Sequence, residues 1–131
     1  MVSRVVFIML LGVFSNNVLS EWKYVGVDAA SKITTYADPV RIQKAGSMVK
    51  MWHLFDMKEA GEIRSKSYLS FTVQSEYDCI KNKSRSLYRA GHKKNMGAGE
   101  IIGSESHVGN WKPIPQGTPK EYLFYIACRS K

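Results

Sequence analysis

Three histidines, His53, His92 and His107, are the side chains of this sequence best suited to moving protons near neutral pH. Two of them with a lysine would serve general acid–base hydrolysis of a substrate such as RNA. They stand far apart in the chain, no motif surrounds any of them, and no zinc-type ligand spacing includes them. No catalysis, metal or cofactor is therefore expected. His53, in an apolar run, reads as a packed or edge residue. His92 and His107 read as exposed imidazoles at strand ends.

A second concentration of chemistry is cationic. Lys81, Lys83, Arg85, Arg89, Lys93 and Lys94 crowd one stretch, with Tyr88 and His92 among them. On a strand, a period of two places Arg85 and Arg89 with Leu87 on one face and Tyr88 with His92 on the other. The flanking lysines fall in turns. These six cations read as a patch for an acidic partner, such as a matrix protein, an acidic polysaccharide (a glycosaminoglycan) or lipopolysaccharide phosphate. The plainer reading is a solvated hairpin whose edge lysines discourage aggregation. Charge alone permits nonspecific phosphate contact, but no specific nucleic-acid partner is expected after export.

Export is read from the first twenty residues. Arg4 precedes the apolar run Val5 to Phe14, and Val18-Leu19-Ser20 supplies a cleavage site before Glu21. The run is too short for a bilayer core, which needs about twenty apolar residues. Residues 1–20 are thus expected to be a signal peptide and 21–131 the folded domain, with no transmembrane segment. No Cys sits just after the cleavage point, so a periplasmic, secreted or surface protein without a lipid anchor is expected. Cys79 and Cys128 are the two cysteines, and an even pair in an oxidising compartment favours one disulfide.

The frame that must position these groups is small. The chain has 131 residues, 44% hydrophobic, with nineteen Lys+Arg against eleven Asp+Glu for a formal charge of +8. Collagen-like, disordered and large multidomain classes are excluded. Strands are expected at Trp22–Val27, Ile33–Ala37, Met48–Phe55, Tyr68–Cys79, Ser84–His92 and Glu100–His107. Asp38-Pro39 should stop the second, and Gly97-Ala98-Gly99 should form a turn rather than a phosphate loop. In the fourth, Leu69, Phe71, Val73, Tyr77 and Cys79 share one face.

Thr118-Pro119-Lys120-Glu121 is a capping box, so the apolar segment that follows is read as a helix rather than a final strand. It should bury Tyr122, Tyr125 and Ile126 against the sheet, and a bond from Cys128 to Cys79 would hold it on the Leu69/Phe71/Val73 face. The fold class is α+β: an antiparallel β-sheet meander of about six strands with one C-terminal helix packed on it. An exposed sheet edge would let two copies pair as a homodimer. Met48, Met51 and Met57 read as core filling, and Trp22, Trp52 and Trp111 as core or rim anchors.

Several short segments, taken in order, resemble the surface-adhesin protein E family of bacterial exported proteins. They are Trp22, Tyr36-Ala37-Asp38, Val49-Lys50-Met51-Trp52-His53-Leu54-Phe55-Asp56, Tyr77-Asp78-Cys79, Trp111-Lys112-Pro113-Ile114 and the segment ending in Cys128. The resemblance covers essentially all of 21–131. It implies an antiparallel sheet with a C-terminal helix tied on by a Cys79–Cys128 disulfide. It further implies binding to host extracellular-matrix proteins at the bacterial surface, without catalysis. Other classes compatible with the residues are a soluble periplasmic envelope or inhibitor protein and a small basic secreted hydrolase.

Overall fold

The computed structural model describes residues 21–129, so the leader expected over 1–20 lies outside the described residues. Seven strands follow one another as β1 (Lys23–Asp28), β2 (Ile33–Ala45), β3 (Met48–Ile63), β4 (Lys66–Asp78), β5 (Lys83–His92), β6 (Ile101–Glu105) and β7 (Lys112–Pro113). One helix, α1 (Pro119–Arg129), closes the chain. The sheet runs in sequence order from β1 to β6, every pair antiparallel, and the two-residue β7 shares the outer edge of β5 with β6. This is the meander expected from the period-two pattern, with the helix layered on one face.

Two strands run further than their composition suggested. Asp38-Pro39 does not end β2, which continues to Ala45 past an irregularity between Asp38 and Gln43. Pro39 lies in that bulge, where no ladder partner needs its missing N–H. The fully buried Asp38 carboxylate organises the bend, accepting from the Val40 N–H at 3.2 Å and the Arg41 Nε at 2.6 Å. Likewise β3 passes Phe55 and reaches Ile63 around a bulge between Asp56 and Gly61. The Tyr68 ring fills the space where a Cβ on Gly61 would stand, 2.3 Å from that position.

Helix α1 crosses β1, β2, β3 and β4. Leu123, Phe124 and Ala127 are buried with Ala37, Val49, Met51 and Tyr77 from the sheet. The buried stripe is not the one expected: Tyr122 is 58% exposed and Tyr125 39%, while Ile126 is half-buried at the core margin. The segment is apolar almost all round, so its own pattern does not select a face. A buried tyrosine would also need a partner for its hydroxyl, whereas Leu and Ala need none. Arg129 instead stacks on the outward Tyr125, 4.7 Å from the ring centroid.

Both ends of α1 are anchored. Cys128 is bonded to Cys79 with Cα atoms 5.6 Å apart, and the bridge closes a loop of 49 residues. In the entropic model this restricts the unfolded chain by about 4 kcal/mol. At the other end Pro119 stands over Gly26, its Cγ 3.6 Å from where a Cβ would lie. The cap is a variant of the expected box. The Thr118 hydroxyl donates to the Pro115 carbonyl at 2.8 Å, and the Glu121 carboxylate accepts from the Gly117 N–H at 3.2 Å.

Candidate functional site

The six cations singled out from the sequence do not form one cluster. Lys81 and Lys83 are exposed at the β4–β5 turn, where Asp78 accepts from the N–H groups of Ile80 and Lys81. Lys93 and Lys94 are exposed at the far end of β5, about 30 Å away for a strand of this length. The turn that follows, Asn95–Gly97, folds back onto the sheet. Asp56 accepts from the Asn95 side chain and the Met96 N–H, and Ser70 donates to the Lys94 carbonyl at 2.6 Å.

Arg85 and Arg89 also part company. The ladder pairs Gln74 with Tyr88 and Ser75 with Ser86, leaving Leu87 as an extra residue on β5. One inserted residue reverses the phase of everything before it. Arg85 therefore joins Tyr88 on the helix-free face, and Arg89 points to the helix side opposite Val73. The expectation that the two arginines share a face is corrected. Arg85 is engaged there: its Nε and Nη2 donate to Glu76 at 2.9 and 2.6 Å, and its guanidinium lies 4.3 Å from the Trp111 ring centroid.

The helix-free face carries a row across four strands, with Asp38, Trp52, Gln74 and Tyr88 as successive ladder partners. Trp52 and Tyr88 meet edge to face at 5.6 Å, and Arg41 lies over Trp52 at the same distance. Trp52 and Trp111 thus each have a guanidinium on the ring, which makes them rim anchors rather than open stacking platforms. His92 differs from expectation in being buried. Its Nε2 is 2.8 Å from the Thr72 Oγ1, and burial lowers its pKa.

The helix side has the opposite character. α1 covers the sheet near Met51 and Tyr77 but not near Phe55 and Phe71. Beside it lie three hollows of about 470, 620 and 310 Å³, all lined in part by Phe71. The largest is walled by Ile33, Phe55, Met57, Tyr68 and Phe71, with Lys120 at its junction with the next. His53 lines that next hollow and is only 5% exposed, and its Nδ1 has no hydrogen-bond partner. Burial, with Lys120 adding a smaller push, holds its pKa down at about 3. His53 is thus packed and neutral, as an apolar setting demands.

The three histidines are not gathered: His53 and His107 line one hollow, and His92 belongs to the other face. The sequence did not mark Lys120 or the Phe55–Phe71 wall as a site. Period two shows which side chains share a face, but not which part of that face a helix leaves uncovered.

Comparison with known proteins agrees with this architecture. The family profile described as surface-adhesin protein E matches residues 22–129. A search of curated proteins returns no match. Among solved structures, Haemophilus influenzae protein E superposes with a TM-score of 0.65 at 10% identity, covering 84% of this chain and 88% of that one. A second crystal form of the same protein gives 0.64 at 10% identity, over 84% and 91%. Protein E from non-typeable Haemophilus influenzae gives 0.57 at 11% identity, over 81% and 72%. At these identities the structural likeness speaks for the fold.

Proposed function

The chain belongs to the surface-adhesin protein E family, and we propose that it binds host extracellular-matrix protein or acidic polysaccharide through the exposed cations at the two ends of β5. Membership implies an exported or cell-surface binding protein rather than an enzyme. Among the described residues no helix is long and apolar enough to cross a membrane. The observation that carries the reading is the distribution of free charge: Lys81, Lys83, Lys93 and Lys94 are exposed at the turns before and after one strand, while Arg89 within it faces Glu105. Lys112 joins the first group, since it pairs with Ser84 beside Lys83.

Two basic groups some 30 Å apart suit an extended polyanion or an acidic protein surface better than a small ligand. Arg85 serves this surface by holding Trp111 and Glu76 in place, with its charge largely neutralised. Exposed cations of this kind act through steering and are screened by salt. The test is retention on immobilised matrix proteins and heparin at two salt concentrations. Lys81→Glu with Lys83→Glu, and separately Lys93→Glu with Lys94→Glu, should each lower retention, and all four together should abolish it. Undiminished retention of the fourfold variant would defeat the proposal.

A further inference from the structure

The trough on the helix side is not used by that reading, and its chemistry is different. Its larger hollow, about 620 Å³, falls within the range of small-molecule sites and has a wall of aliphatic and aromatic side chains, with Asp28 lining its β1 end and disfavouring an anion there. At the junction of the two larger hollows stands Lys120, in the first turn of α1, where the helix already presents the positive end of its dipole. A cation is unfavourable there unless an anion joins it. Among the described residues no carboxylate pairs with Lys120, the ion pairs being Lys32–Glu59, Arg41–Asp38 and Arg85–Glu76.

Behind it is His53, more than nine-tenths buried, whose Nδ1 has neither a partner nor accessible surface, so the imidazole backs the junction as a neutral, closed wall. At the opposite rim Arg89 and Glu105 are ladder partners, so a cation and an anion stand side by side there. An anionic headgroup is therefore directed to the Lys120 side, next to the apolar wall.

We propose that this trough binds the anion of a long-chain fatty acid, its carboxylate on Lys120 at the junction of the two hollows and its chain along Phe55, Met57, Tyr68 and Phe71. A single carboxylate suits the one lysine shared by the two larger hollows, and a single chain matches one narrow wall. Lys81, Lys83, Lys93 and Lys94 line none of these hollows, so either reading can fail without the other.

The test titrates the purified protein with 11-(dansylamino)undecanoic acid and follows its fluorescence. A saturable enhancement is expected, displaced by palmitate. Octanoate should displace far more weakly, since each buried methylene contributes roughly fourfold in affinity. Palmityl alcohol, which lacks the charge, should compete at least about tenfold more weakly than palmitate. Lys120→Glu should weaken binding by at least about tenfold, with Lys120→Met intermediate. Lys120 is exposed and opposes the helix dipole, so neither variant should lower the thermal midpoint. Absence of saturable enhancement, equal binding by Lys120→Glu, or equal competition by palmityl alcohol would overturn the proposal. So would Lys120-dependent capture by phosphatidylglycerol vesicles with no displacement by palmitate.

Discussion

The same strands build a closed region and an open one. Toward the start of β3 and the end of β4, Met51 and Tyr77 lie under Leu123, Phe124 and Ala127, with the disulfide beside them. Further along the same face of the same strands, Phe55 and Phe71 are half-buried walls of a trough. The two regions do not differ in residue type, since both alternate large apolar side chains. They differ in what lies above. A helix of eleven residues is about 16 Å long, and its two ends are already committed to Gly26 and Cys79. It cannot cover the whole face, and an apolar wall beside its first turn is the consequence.

That comparison can be broken most strongly at the disulfide. Replacing Cys79 and Cys128 together by serine should lower unfolding stability by about 4 kcal/mol in the entropic model. Amide exchange should then show α1 losing protection ahead of β3 and β4. If α1 and the central strands lost protection together, the helix would not be the separable layer described above.

The second contrast sets one substitution in each region against the other. Leu123→Ala, at a site only 1% exposed, should cost about 3 kcal/mol in urea unfolding through the cavity it leaves. Phe55→Ala removes a larger side chain from an open wall and should cost less than half as much. Equal losses would mean that the trough is closed in solution.

The third contrast sharpens the boundary between the regions, where His53 sits, and near neutral pH its effect is smaller than the other two. Its folded pKa, about 3, lies below the ordinary value of 6.5. Above pH 6.5 both folded and unfolded chains carry a neutral imidazole, so the residue adds no pH dependence. Between pH 6.5 and about 3 the unfolded chain takes up a proton that the folded chain does not, and stability falls as pH falls. The slope approaches about 1.4 kcal/mol per pH unit. Thermal midpoints measured across this window should decline less steeply for His53→Gln than for the wild type. Parallel curves would show that the imidazole is open to water.

Much of the architecture was legible because it is local or singular. Alternation marked Tyr68 to Cys79 as a strand, Gly97 fell in a turn, and Thr118-Pro119 announced a helix that begins at Pro119. Other features resisted reading because they depend on pairing across the sheet. Nothing around Asp38-Pro39 says that a buried carboxylate will bend the chain and let the strand continue. Nothing in Ser84 to His92 marks Leu87 as the inserted residue, because a bulge is defined by the partner strand. The candidate cations were therefore identified as residues but misassigned in part as a surface.

By itself the sequence determined the period of each strand, the single disulfide connectivity that two cysteines allow, and a basic surface without a catalytic motif. Those properties follow from composition and from neighbours a few residues apart. Only the tertiary structure decided which stripe of α1 is buried, where along the sheet it lies, and on which side Arg85 and Arg89 emerge. The helix is apolar nearly all round, so its orientation is selected by the fit of Leu123 and Ala127 against Ala37, Val49 and Met51. A one-residue insertion changes the facing of every residue beyond it, and its place is chosen by contacts between strands rather than within one.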